Sequence, residues 1–298
     1  MRLIKKQNIE DILFFDIETA PADNNFNSDS PLYDAWHYDH MRNVETEQEL
    51  IELYNSKAAL YGEYGRIVCI TIGAVRNGEI ILKSFAGIDE KQILIDFMES
   101  VSKFANNKTY LCGHNIQDFD MPFVMKRCLV HRVELQMLFD TAHLKPWETS
   151  TLDTALLWKG TGWKKQSFIS VLSALGLPSP KDDISGADVG RIFYEGDIDR
   201  IVTYCEKDVI QVVQLIRALR YEEPLKLAEN YVAVPEKILT YLFEGGEYTS
   251  EVASQLKESL NGMSAEDKKI AIEILNTIPT KAKGKETDIT KADIKKLC

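Results

Sequence analysis

Four consecutive apolar residues, Ile12, Leu13, Phe14 and Phe15, run directly into a pair of carboxylates at Asp16 and Glu18. Such a run reads as a central strand buried on both faces. Residues two apart in a strand project to the same side, so Asp16 and Glu18 leave the sheet together. Two like charges side by side are costly unless a cation neutralises them. Either the rest of the chain brings more acid to that cation, or the pair is a solvated strand end.

Two further stretches carry acid in a suitable context. The apolar Tyr110 to Cys112 leads into GHNIQDFDMPF, Gly113 to Phe123, which places Asp120 just before Pro122, where a strand would hand over to a helix. The segment YCEKD, Tyr204 to Asp208, lies in a strongly helical region, and i, i+4 spacing puts Tyr204 and Asp208 on one helical face. Taken singly, each has an ordinary alternative. Asp120 fits an N-cap, and Tyr and Asp at helical spacing are common on exposed faces. Together with Asp16 and Glu18 they amount to four acids and one phenol from three separate elements.

In this order, the D-x-E, N-x-x-x-F-D and Y-x-x-x-D segments resemble the DEDDy group of 3'-to-5' exonucleases in the ribonuclease-H-like superfamily. The wording is closest to the proofreading domain of B-family DNA polymerases and to free-standing bacterial exonucleases related to it. Asn115, Phe119, Asp120 and Pro122 fit the second motif residue for residue. Leu60 to Val75 and Asp183 to Asp197 also read like the free-standing group, and the resemblance covers roughly residues 10 to 220.

The resemblance implies catalytic residues Asp16, Glu18, Asp120, Tyr204 and Asp208, with the four carboxylates as metal ligands. It implies two Mg²⁺ or Mn²⁺ ions, which in such sites lie about 3.5 to 4 Å apart and stabilise the attacking and leaving oxygens of an in-line displacement. Asp16 would bridge both ions, Glu18 and Asp208 would complete the first, and Asp120 would hold the second mainly through water. Tyr204 would orient the attacking water, since a free phenol, with a pKa near ~10, suits positioning better than proton abstraction. Asn115 and Phe119 would meet the terminal nucleotides, and the backbone near Thr19 and Ala20 would face the 3'-hydroxyl. Lys126, Arg127, Lys159, Lys164 and Lys165 are candidate phosphate contacts, an exposed basic face being the commoner explanation.

Composition sets the outer limits. At 298 residues, 45% hydrophobic and 27% charged, the chain can bury a substantial core. No apolar run approaches the ~18 residues that span a bilayer, and the N-terminus lacks a signal-peptide core. Five cysteines without close pairing point to a reduced, cytoplasmic protein with neither disulfides nor structural zinc. The net charge of -11 opposes a polyanion, whereas nonspecific nucleic-acid binders are usually basic. Divalent ions would invert the sign locally, so weak, salt-sensitive binding is expected.

Along the chain, Met1 to Asp11 reads as a polar lead and residues 22–63 as an insertion beside the site, with an acidic helical stretch from Glu45 to Leu60. Its aromatics, Phe26, Tyr33, Trp36 and Tyr38, either stack on bases or pack the loop, packing being the more common role. Arg66 to Val75 and Glu79 to Phe85 flank an Asn-Gly pair and predict an antiparallel hairpin. A helix is expected over Asp89 to Phe104, a strand over Thr109 to Cys112, a helix to about Arg132 and a short fifth strand over Leu138 to Thr141. Short helices at Thr151 to Trp158, Ser167 to Leu175 and Ala187 to Tyr194 precede a long one from Asp197 to about Tyr221. The expected fold is α/β, a ribonuclease-H-like mixed five-stranded sheet flanked by helices, as the resemblance also implies.

Residues 1–221 would form the exonuclease domain and residues 222–298 a helical C-terminal extension, with helical periodicity at Val252 to Leu260 and Ile270 to Ile278. Capping-box patterns occur at Ser264 to Asp267 and Thr290 to Asp293. That extension has no catalytic motif; docking on the exonuclease body, dimerisation or another protein contact, and contact with nucleic acid are the readings open to it. The functional expectation is a metal-dependent exonuclease acting on the 3' end of nucleic acid, single-stranded DNA ahead of RNA, with no membrane partner. The alternatives are an inactive nucleic-acid-binding or scaffold protein on the same fold, and an endonuclease.

Overall fold

The computed structural model describes residues 2–42, 44–145, 148–180 and 184–227. The expected C-terminal helices and capping boxes lie outside the described residues. Six strands form one mixed sheet: β1 (Ile12–Pro21), β2 (Gly65–Arg76), β3 (Glu79–Ala86), β4 (Tyr110–Gly113), β5 (Thr151–Asp153) and β6 (Lys226–Leu227). Their order is β5-β4-β1-β2-β3-β6. β1, β2 and β3 form an antiparallel meander, joined at Asn77 and Gly78, both at positive φ, as the Asn-Gly signal requires. β4 pairs parallel to β1, and β5 parallel to β4. This is the ribonuclease-H-like arrangement, with β1 at its centre.

Nine α-helices occur among the described residues: α1 (Arg2–Lys6), α2 (Tyr33–His40), α3 (Glu47–Lys57), α4 (Glu90–Phe104), α5 (Asp120–His131), α6 (Thr154–Lys159), α7 (Phe168–Ala174), α8 (Val189–Glu195) and α9 (Ile198–Leu219). None is long and apolar enough to cross a membrane. The odd residues of β1, Leu13, Phe15 and Ile17, enter one core with α4 and α5. The even side faces α8 and α9, whose Val189, Ile192, Ile201, Tyr204 and Cys205 pack with Ala20 and Cys69. Strand alternation therefore sends Asp16 and Glu18 toward α9. Gly73 of β2 lets the helix come close, because a Cβ there would stand 2.7 Å from Val209 Cγ1.

Four expectations need correction. The sheet has six strands rather than five, the short β6 adding beside β3. Leu138 to Thr141 is a turn rather than a strand; Phe139 is buried edge-on against Phe15 and Phe97, so its apolar character serves a plug in the core. The fifth strand is instead Thr151–Asp153, the start of an expected helix, which pairs with β4 before α6 begins. The polar lead contains the short helix α1. The insertion builds its own small core from Phe26, Trp36, Leu50, Tyr54, Ala58 and Tyr64. Phe26 stacks on Tyr54 with ring centroids 3.7 Å apart, so Phe26 and Trp36 pack the insertion, while Tyr38 is 79% exposed.

Candidate active site

The site begins where β1 pairs with β2. Asp16 lies opposite Thr71 and Glu18 opposite Cys69, and the register then slips so that Thr19 faces Ile67. A bulge of this kind twists a strand and re-aims its side chains. Just past the slip, Thr19 is buried and its hydroxyl donates to Ala59 O at 2.7 Å, tying the strand to the insertion.

Asp120 opens α5 and is buried. Its Oδ1 accepts the Ile17 amide at 3.2 Å, fixing the second motif against the first between the two acids of β1. The turn before it is held by Asp153, whose carboxylate accepts the amides of Asn115 and Gln117 as well as those of Ala155 and Leu156 at the start of α6. Asn115 itself takes positive φ, a conformation that asparagine tolerates better than most residues. Phe119 is half-buried with its ring 5.5 Å from Phe123. His114 bonds Thr154 and lies against the Phe168 ring.

From α9, Asp208 lies four residues after Tyr204 and three after Cys205, which brings the three to one side of the helix. Tyr204 and Cys205 are buried, and Asp208 is partly so. Cys205 Sγ donates to Asp16 Oδ2 at 3.6 Å and to its backbone carbonyl at 3.5 Å. Among the described residues, Asp16, Glu18 and Cys205 form a group whose ligand atoms all lie within 4.8 Å of one another. Asp120 and Asp208 are not members of that tightest group, but their charges act on it. Burial first, then the charges of Asp120, Glu18 and Asp208, drive the Asp16 carboxyl well above its usual range. Burial, with the charges of Asp153 and Asp208, outweighs two backbone hydrogen bonds and pushes Asp120 up to about 7. Tyr204 is raised by burial and by Asp208, Glu18 and Asp16, so its phenol keeps its proton.

The sequence reading passed over Cys205, although it adjoins Tyr204 and lies three residues from Asp208, one helical turn away. Burial and neighbouring Cys69, then the two acids, raise the thiol far above its ordinary pKa. It is therefore a donor to Asp16, leaving carboxylate oxygens as the donor set. Oxygen-rich, crowded and anionic, that set fits a hard divalent cation. Of the candidate basic contacts, Arg127 is buried and engages Glu90 through two hydrogen bonds, of 2.8 and 2.7 Å, making it structural. Lys126 pairs with Glu63. Lys165 reaches Asn115 Oδ1 at 2.7 Å and Asp118 Oδ2 at 2.6 Å.

Residues 59–257 match the model of a family described as a predicted 3'-5' exonuclease related to the exonuclease domain of PolB. The match takes in Asn115, Phe119, Asp120, Tyr204 and Asp208 and begins downstream of Asp16 and Glu18. A DNA polymerase of Archaeoglobus fulgidus is 23% identical over 161 residues, which is 51% of this chain and 20% of that protein. A family B DNA polymerase from the hyperthermophilic archaeon Pyrobaculum calidifontis superposes with a TM-score of 0.41 at 14% identity, over 84% of this chain and 28% of that one. The chain thus spans only a fraction of the length of these polymerases.

Proposed function

Starting from the premise that the chain belongs to the family of predicted 3'-5' exonucleases related to the exonuclease domain of PolB, we propose that residues 1–221 form a metal-dependent enzyme that removes nucleotides from the 3' end of single-stranded nucleic acid, DNA ahead of RNA. The observation that supports this reading is geometric: the ligand atoms of Asp16 and Glu18 of β1 and of Cys205 of α9 lie within 4.8 Å of one another, Asp120 is bonded to the Ile17 amide between the two acids, and Tyr204 and Asp208 flank Cys205 on the same helix.

Asp16, Glu18, Asp120 and Asp208 would hold Mg²⁺ or Mn²⁺. When bound, such ions polarise the phosphate and lower the pKa of a coordinated water. The chain's own residues set the geometry. Cys205 orients Asp16 through its thiol, and the Ile17 amide orients Asp120. Tyr204, kept neutral by burial and then by the neighbouring acids, offers an O–H and an oxygen lone pair with which to position water near the scissile phosphate. Thr19, at the end of the acidic strand, would lie against the terminal 3'-hydroxyl, while Asn115 and Phe119 would hold the last nucleotides.

Digestion of 5'-labelled single-stranded DNA and RNA with Mg²⁺ or Mn²⁺ tests this. The expected result is a ladder shortening from the 3' end, lost with chelator and in Asp16→Ala. Cutting of closed circles would replace the proposal with an endonuclease, and metal binding without turnover on any strand would leave a nucleic-acid-binding protein.

A further inference from the structure

Outside the acidic cluster, the segment linking α6 to α7 combines features that the reaction above does not explain. It runs Gly160-Thr161-Gly162-Trp163-Lys164-Lys165-Gln166-Ser167. Trp163 is 90% exposed, the most exposed large hydrophobic side chain among the described residues. A single exposed apolar side chain is ordinary by itself; what sets this one apart is the segment that carries it.

Its exposure is built in. Gly160 ends α6 at φ +55, and a Cβ at Gly162 would meet Lys159 O at 2.9 Å, so two glycines make a tight turn that throws the following residues outward. The segment is also pinned at both shoulders to the second motif. His114 bonds Thr154 at the start of α6 and packs its ring 4.7 Å from Phe168 at the start of α7. Lys165 then bonds Asn115 itself. A protruding aromatic thus lies two residues from the lysine that bonds Asn115, one of the residues proposed to hold the strand; Lys164 beside it is exposed, while Lys165 is paired with Asp118.

The geometry points to this segment as a strand-binding subsite, in which Trp163 stacks on a base of the single strand upstream of the 3' end and Lys164 meets its phosphate. Every base has a π-face, so an aromatic platform with an adjacent cation binds single strands with little regard to sequence. In a chain of net charge -11, a local cationic and aromatic foothold supplies attraction that the overall field withholds. The inference rests on the exonuclease reading for its direction along the strand, and its test is separable from it.

The test is the fluorescence anisotropy of a 5'-fluorescein oligothymidylate of about ten nucleotides, within the usual span of such sites, made with phosphorothioate linkages to slow hydrolysis and measured with the full chain and Mg²⁺. Trp163→Ala should weaken binding on the order of tenfold, and Trp163→Phe should recover most of it, because the platform and not the indole N–H is used. Lys164→Ala should reduce the slope of log affinity against log salt by about 0.7. Digestion of the ordinary oligonucleotide should show the loss in KM, with kcat little changed.

Unaltered affinity and KM in Trp163→Ala would overturn the subsite while leaving the exonuclease intact. Binding through Trp163 without shortening of any strand would keep the subsite and remove the exonuclease. A wild-type chain that binds no strand overturns it, as does a concentration-dependent dimer that Trp163→Ala dissolves with no change in strand affinity.

Discussion

Tyr204 sits among three carboxylates, and that company decides what its phenol can do. Burial and the charges of Asp208, Glu18 and Asp16 hold it in the neutral form, so in the proposed reaction it would position water rather than abstract a proton. Tyr204→Phe should slow strand shortening by about a hundredfold, the low end of what one positioned proton-bearing group contributes. Mn²⁺ affinity, read by electron paramagnetic resonance of the free ion, should stay the same; its loss would assign the phenol to the metal instead. Cys205 acts one step further back. Groups that orient a metal ligand typically change affinity or rate by about 10- to 100-fold when removed, so Cys205→Ala should weaken metal binding or turnover by about tenfold. Cys205→Ser, which restores an O–H donor toward Asp16, should recover most of it; equal defects in the two variants would point to packing alone. The acids and the tyrosine were legible because their types and order form a pattern. Cys205 was not, because a buried thiol in a helix reads as one more small apolar residue.

At the level of elements, the long ones were legible and the three-residue one was not. Hydrophobic period marks α4 and α9, whose inward faces repeat every three to four residues over many turns, and the Asn-Gly pair marks the β2–β3 turn. β5 is too short to show a period, and Thr151, Leu152 and Asp153 blend into the helix that follows. What fixes that boundary is Asp153. Its carboxylate gathers four amides, two from the start of α6 and two from the turn carrying Asn115, so it binds the start of α6 to the turn of the second motif. Asp153→Ala should cost about 3 kcal/mol, a cap plus charge-assisted hydrogen bonds to a buried carboxylate, measured as a lower urea midpoint. Asp153→Asn should cost less, since one amide oxygen still accepts. If both variants unfold like the wild type, the turn is held by its own backbone. The insertion shows the same limit. Its aromatics announced themselves, yet only the fold tells a packed Trp36, whose indole N–H donates to Leu50 O at 3.2 Å, from a ring free to meet a base.

For the whole molecule, the acidic cluster couples stability to pH and, under the proposed function, to metal. Asp120 is shifted from its ordinary 3.8 to about 7, and Asp16 is shifted in the same direction. Below about pH 4 both the folded and the unfolded chain carry these protons. As pH rises toward 7 the unfolded chain releases them while the folded site retains them, so the folded state binds more protons and stability falls through that window. Glu90 works the other way: burial raises its pKa, but hydrogen bonds from Arg127 and the Ile67 amide outweigh that and hold it low, so its contribution is present at neutral pH and is lost only in acid. The comparison that isolates the site is therefore wild type against Asp16→Asn/Asp120→Asn, melted in chelator across this range. The wild type should lose ground to the variant as pH rises from about 4, the part due to Asp120 being complete once pH has passed about 7. Mg²⁺ should reverse that deficit in the wild type alone, because a cation that displaces the protons stabilises only the folded state that assembles its ligands. Identical pH profiles for the two proteins in chelator would mean that the carboxylates of β1 and α5 do not press on one another in the folded chain, and the metal reading would lose its physical basis.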